Sequence, residues 1–82
     1  MGDHTRIDQL AHHHDVRLQR LLDLMDRPKN GLELAEDLFS RAVAEGQLMM
    51  ALAETLAHAN HLVTLGKAVR DESSPVVIYR RI

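Results

Sequence analysis

The chain has 82 residues, ten of them basic and twelve acidic, for a formal charge of −2. That is one small domain with a limited core, and it lacks the excess of cations with which a nucleic-acid binder displaces counterions. There is no cysteine or tryptophan, and only one Phe and one Tyr. Disulfides, thiolate metal sites and aromatic platforms for single strands are thereby excluded.

Residues 1–6 read as a disordered or vector-derived start, and residues 7–82 as the domain. The N-terminus is polar and charged through Gln9 and does not resemble a signal peptide. Every long apolar stretch is interrupted by Glu or His, so no membrane span is expected. The expected location is cytoplasmic, with no membrane partner.

A first helix is predicted from Asp8 to Asp26. Ile7, Ala11, His14, Leu18, Leu21 and Met25 alternate spacings of four and three, which lines one helical face. Such a helix of about 19 residues is about 28 Å long, longer than so small a domain requires. Its first turns (Ile7, Leu10, Ala11, His14) are therefore expected to face something outside the domain. Pro28 ends the helix, because proline disfavours helical geometry at the residue before it. Asn30 then caps a second helix, with Glu33 completing a variant capping box. Leu34, Ala35, Leu38 and Phe39 form its buried face. It is expected to end near Ser40 or Arg41, with residues Ala42 to Gln47 as a turn around Gly46.

The third helix starts at Leu48 and carries the main stripe: Leu48, Leu52, Thr55, Leu56, Ala59, Leu62 and Val63. Gly66 follows the last periodic residue and is predicted to cap the helix in the left-handed conformation. Lys67 to Arg70 and Val76 to Arg81 flank the turn cluster Asp71-Glu72-Ser73-Ser74-Pro75 and read as two strands. The expected fold is mainly α with a small β-hairpin (α+β): a winged helix-turn-helix of three helices and a two-stranded wing.

Six histidines raise the question of metal binding. His12, His13 and His14 are consecutive, so on a helix they point in three directions and cannot chelate one ion together. Glu54, His58 and His61 stack at spacings of four and three and could supply two imidazoles and a carboxylate to zinc. The bland alternative, an exposed Glu–His pair beside one histidine at the border of the stripe, is preferred. No catalytic triad spacing and no glycine-rich phosphate loop occurs. DNA binding by the third helix is disfavoured in turn. Its outward side carries Met50, Ala53, Glu54, Ala57 and His61, and no Lys or Arg lies between Arg41 and Lys67. Arginines 17, 20, 27, 70, 80 and 81 leave room for weak nucleic-acid contact only.

Three runs, HHDVRLQRLLDLM, PKNGLELAEDLF and ALAETLAHANHLVTLGKAVR, together resemble the C-terminal winged-helix domain of metallo-β-lactamase-fold hydrolases of the β-lactamase-like protein type. His13 and Arg17 match the family's first piece. Asn30-Gly31-Leu32-Glu33-Leu34 matches the second, with Asn replacing Thr as cap. Leu38-Phe39 matches the third. Leu56-Ala57-His58-Ala59, Leu62, Gly66 and Lys67 match the fourth, with Ala59 where Leu is usual. The resemblance covers roughly residues 10 to 80.

It implies a non-catalytic accessory domain that shapes or covers the substrate cleft of a preceding zinc-dependent hydrolase domain. Zinc is expected in that domain, on an H-x-H-x-D-H motif. His12 to Asp15 lacks the motif's spacing, so no catalytic or metal residue is carried over. On this reading Ile7, Leu10, Ala11, His13, His14, Arg17 and His58 are interdomain contacts. The partner is the hydrolase domain of the same chain, and an isolated domain is expected to form a homodimer through helix one. The alternative is a free-standing winged-helix regulator or adaptor binding DNA or protein.

Overall fold

A computed structural model describes residues 16–82. The described part of the first helix, α1, spans residues 16–24. Leu21 and Met25 are buried on its inner side, with Leu18, Leu22 and Leu24 packed around them. Ahead of Pro28 the chain leaves the helix through a turn in which the Met25 amide donates to the Leu22 carbonyl at 3.1 Å.

A short strand follows directly, β1 (Lys29–Asn30), and then α2 (Gly31–Leu38). The capping box forms as expected. Asn30 Oδ1 accepts from the Glu33 amide at 2.8 Å, and the Asn30 amide donates to Glu33 Oε1 at 3.0 Å. Two of the donors that a helix start leaves orphaned are thereby satisfied. Leu34 and Ala35 are fully buried on α2, while Leu38 and Phe39 are half-buried at its end.

The segment read from sequence as a turn begins instead with a third helix, α3 (Ser40–Ala44). The helical phase breaks only at Phe39, where φ and ψ are −125° and 45°. The turn itself is compressed into Glu45–Gln47. There the Gln47 amide reaches the Ala42 carbonyl at 2.8 Å, and the Gly46 amide reaches Val43 at 3.1 Å. The same paired bonds recur after α4 (Leu48–Thr64), from Lys67 to Leu62 and from Gly66 to Val63, both at 3.0 Å. This is the Schellman arrangement, which needs a left-handed residue at its centre. Gly46 and Gly66 supply it with φ of 84° and 75°.

On α4 the fully buried positions are Ala51, Thr55, Ala59 and Leu62. Leu52, Leu56 and Val63 flank them half-buried, and Leu48 is 37% exposed, so the stripe loses its first member. Small residues on the centre line let α2 come close. An added Cβ on Gly31 would lie 2.8 Å from Leu56 Cδ2 and 3.6 Å from Leu52 Cδ1. Thr55 satisfies its buried hydroxyl by donating to the Ala51 carbonyl at 2.7 Å.

The last two strands, β2 (Ala68–Asp71) and β3 (Ile78–Arg81), pair antiparallel with Ala68 opposite Arg81 and Arg70 opposite Tyr79. The sheet has three strands rather than the expected two, because β1 pairs with the other side of β3, in the order β1-β3-β2. Lys29 lies opposite Tyr79, and Asn30 opposite Ile78. Alternation along the strands turns Ala68 and Tyr79 inward, where they join Leu21, Met25, Leu34, Ala59 and Leu62 in one core. Each leucine buried there contributes about 1.5–3 kcal/mol relative to exposure.

Candidate interdomain surface

The sheet is tied to α4 by one half-buried amide. Asn60 Oδ1 accepts from Tyr79 Oη and from Arg70 Nη1, each at 3.0 Å. One residue of α4 thus holds both β2 and β3, and sets which faces of helix and hairpin stay outside.

The outward face of α4 carries Met49, Met50, Ala53, Glu54, Ala57 and His61. Its first turn is apolar on every side: Leu48, Met49 and Met50 are 37%, 77% and 56% exposed. That turn has neither an acidic residue nor a side-chain cap. A feature of mixed polar and apolar lining lies at the other end of α4. Leu18, Gln19 and Leu22 of α1 face Leu62, Leu65 and Lys67 across a half-open groove of about 330 Å³. The leucine spacing on α1 was visible in the sequence. Its facing wall combines Leu62, a member of the α4 stripe, with Leu65 and Lys67 from the turn after α4, which no periodicity marks.

Of the expected interdomain residues, Ile7, Leu10, Ala11, His13 and His14 lie outside the described residues. Arg17 is exposed, and its guanidinium carbon sits 5.1 Å from the centre of the Phe39 ring. That cation–π contact is worth about 0.5–1 kcal/mol at such a site and ties α1 to the end of α2. His58 is half-buried on α4, with Nδ1 2.7 Å from the Glu54 carbonyl oxygen. A carbonyl can only accept, so the proton sits on Nδ1 in this contact. Arg17 and His58 therefore sit on different helices, each engaged within the domain.

Glu54 and His61, the other members of the sequence-derived metal set, are exposed. The helix does align the three side chains at the expected spacing, but among the described residues no group of three or more His, Asp or Glu side chains could hold a metal ion. His58 turns one ring nitrogen back onto its own helix backbone, which alignment by spacing alone does not reveal.

Several cations are matched locally. Lys29 contacts Asp26 at 3.6 Å and Asp37 at 3.5 Å, Arg41 contacts Glu45 at 3.3 Å, and Arg70 contacts Glu72 at 3.4 Å. Arg81 reaches Asp23 at 4.0 Å. The pairs of Arg41, Arg70 and Arg81 are exposed and add little stability, while the Lys29 side chain is largely buried beside its two carboxylates. At the hairpin tip, hydrogen bonds from the Ser73 side chain and backbone hold the Asp71 carboxyl below its ordinary 3.8, with Arg80 adding to the effect. No described helix is long and apolar enough to cross a membrane.

Comparison with known proteins places these features in a family. The family model for the metallo-beta-lactamase-like, C-terminal domain matches residues 18–82. A metallo-beta-lactamase family protein from Thermus thermophilus is 38% identical with a TM-score of 0.77, over 95% of this chain and 23% of that one. A beta-lactamase domain protein from Burkholderia ambifaria is 34% identical with a TM-score of 0.81, over 95% of this chain and 24% of that one. No curated protein matches the chain. The chain spans about a quarter of the length of these two solved structures. With sequence matched from α1 through β3, the chain belongs to the metallo-beta-lactamase-like C-terminal domain family.

Proposed function

We propose that the chain is a non-catalytic winged-helix domain that follows a metallo-β-lactamase-fold, zinc-dependent hydrolase domain and shapes or covers its substrate cleft. The observation that carries this reading is the match of nearly the whole chain to one quarter of two much longer proteins of that family. The winged-helix description is supported by the order α1-β1-α2-α3-α4-β2-β3, with β1 added beside β3. On this reading the zinc ligands belong to the hydrolase domain, and this chain's own part is to present surface. The exposed apolar first turn of α4 and the groove beside α1 are surfaces it could present.

The gene upstream of Met1 tests the proposal. An in-frame hydrolase domain carrying H-x-H-x-D-H supports it. A stop codon just upstream of Met1 overturns it. Turnover by the two-domain protein, compared with the hydrolase domain alone, then reports what the accessory domain does to KM.

A further inference from the structure

We propose that Asn30–Gly31 is a self-modification site, at which the asparagine deamidates only when the start of α2 comes off β3. Both halves of the reactive pair sit at the packed start of α2. Asn30 is needed as the cap, through Oδ1 at 2.8 Å from the Glu33 amide. Gly31 packs against the α4 leucines, where an added Cβ would lie 2.8 Å from Leu56 Cδ2 and displace that methyl. Together they place a side-chain amide next to a backbone nitrogen whose own residue carries no side chain.

The chemistry uses only water and the chain. The Gly31 nitrogen gives up its proton to solvent base and attacks Asn30 Cγ, forming an N–C bond. The Cγ–Nδ2 bond breaks, and ammonia leaves. The cyclic imide then takes up one water at either carbonyl. One opening gives aspartate at position 30. The other gives isoaspartate, with the chain running through the side-chain carbon. No oxidation or reduction occurs.

In the folded chain ring closure is blocked. The Asn30 backbone is extended, with ψ of 170°. Its amide donates to Glu33 Oε1 at 3.0 Å, and the residue is held opposite Ile78 in the sheet. Swinging Cγ over the Gly31 nitrogen breaks the Oδ1 bond to the Glu33 amide and turns ψ from the extended value that the sheet and the second cap bond hold, so the reaction waits for local opening. The two products then diverge. Aspartate keeps an acceptor at the cap and places its charge at the positive end of α2. Isoaspartate inserts an extra backbone carbon between β1 and α2 and breaks the register with Ile78.

Peptide mass mapping of the chain, aged folded and guanidinium-unfolded in the same mildly alkaline buffer, tests this. Asn30 should deamidate at least about tenfold faster unfolded, an opening cost of about 1.4 kcal/mol or more. Asn60 precedes His61 within α4 and serves as the internal control, reacting more slowly than Asn30 in the unfolded chain. Glu33→Ala removes one cap bond and should speed the folded reaction while leaving the unfolded rate unchanged. Asn30→Asp should melt no lower than the parent, and aged protein enriched in isoaspartate should melt lower. Equal rates in folded and unfolded chain overturn the proposal, as does a folded rate insensitive to Glu33→Ala, or Asn60 reacting as fast as Asn30 when unfolded.

Discussion

Asn60 is the residue whose removal tests the packing of sheet on helix most directly. Its Oδ1 is the acceptor for Tyr79 Oη at 3.0 Å, and Tyr79 is only 3% exposed. Asn60→Ala leaves that hydroxyl without this acceptor, and an unsatisfied buried donor costs about 1–3 kcal/mol. Arg70 loses a bond too, but it is exposed and keeps Glu72 at 3.4 Å, so its share is small. Alanine favours the helix over asparagine by about 0.5 kcal/mol, which offsets part of the loss. The net expectation is a destabilisation of about 1–2 kcal/mol.

Tyr79→Phe is milder, about 0.5–1.5 kcal/mol, because Asn60 keeps Arg70 as a partner. The double variant decides the matter. With the hydroxyl already gone, Asn60→Ala no longer strands it, so the two losses should fall short of additivity by about 1 kcal/mol. Urea unfolding followed by helical circular dichroism reads this. With a slope of about 1 kcal/mol/M, the Asn60→Ala midpoint should fall by about 1–2 M. Strict additivity of the two variants would refute the shared bond as the link between α4 and the hairpin.

Other consequences are equally open to measurement. Leu62→Ala removes a side chain 2% exposed at the centre of the core. The loss of about 2–5 kcal/mol is a large part of what so small a domain has, and circular dichroism should show a substantially unfolded population at 37 °C. Asn30→Ala deletes the α2 cap at a cost of about 1 kcal/mol, which should lower Tm by about 4–8 °C. The Asp71 carboxyl is held down by Ser73, so its stabilising contact is present above the unfolded value of 3.8 and is lost as pH falls through the lower folded value. An NMR titration should find its midpoint below 3.8, and Ser73→Ala should raise it. Duplex DNA at low salt should bind weakly, with a shallow salt dependence, because the exposed face of α4 offers no Lys or Arg. Tight binding with a steep salt slope would favour the regulator reading instead.

What could be read without the fold was whatever depends on near neighbours in the chain. The helices α1, α2 and α4 follow from apolar spacing. The Asn30–Glu33 box and the glycine end of α4 follow from residues within about one turn of each other. The hairpin follows from a polar turn between the short segment Lys67–Arg70 and the β-branched run from Val76. Tertiary structure decided the rest. Lys29–Asn30 is too short to announce itself as a strand and becomes one only because β3 arrives beside it. Residues 40–44 have no side-chain cap at their start, yet they remain helical between α2 and α4. Spacing aligned Glu54, His58 and His61, but the contact between His58 and its own helix backbone is settled by rotamer, not by sequence interval. The bond from Asn60 to Tyr79 joins residues far apart in the chain, and nothing local to either selects the other. Local rules speak through the backbone's short-range geometry. Pairings that close long loops are selected only by the packed whole.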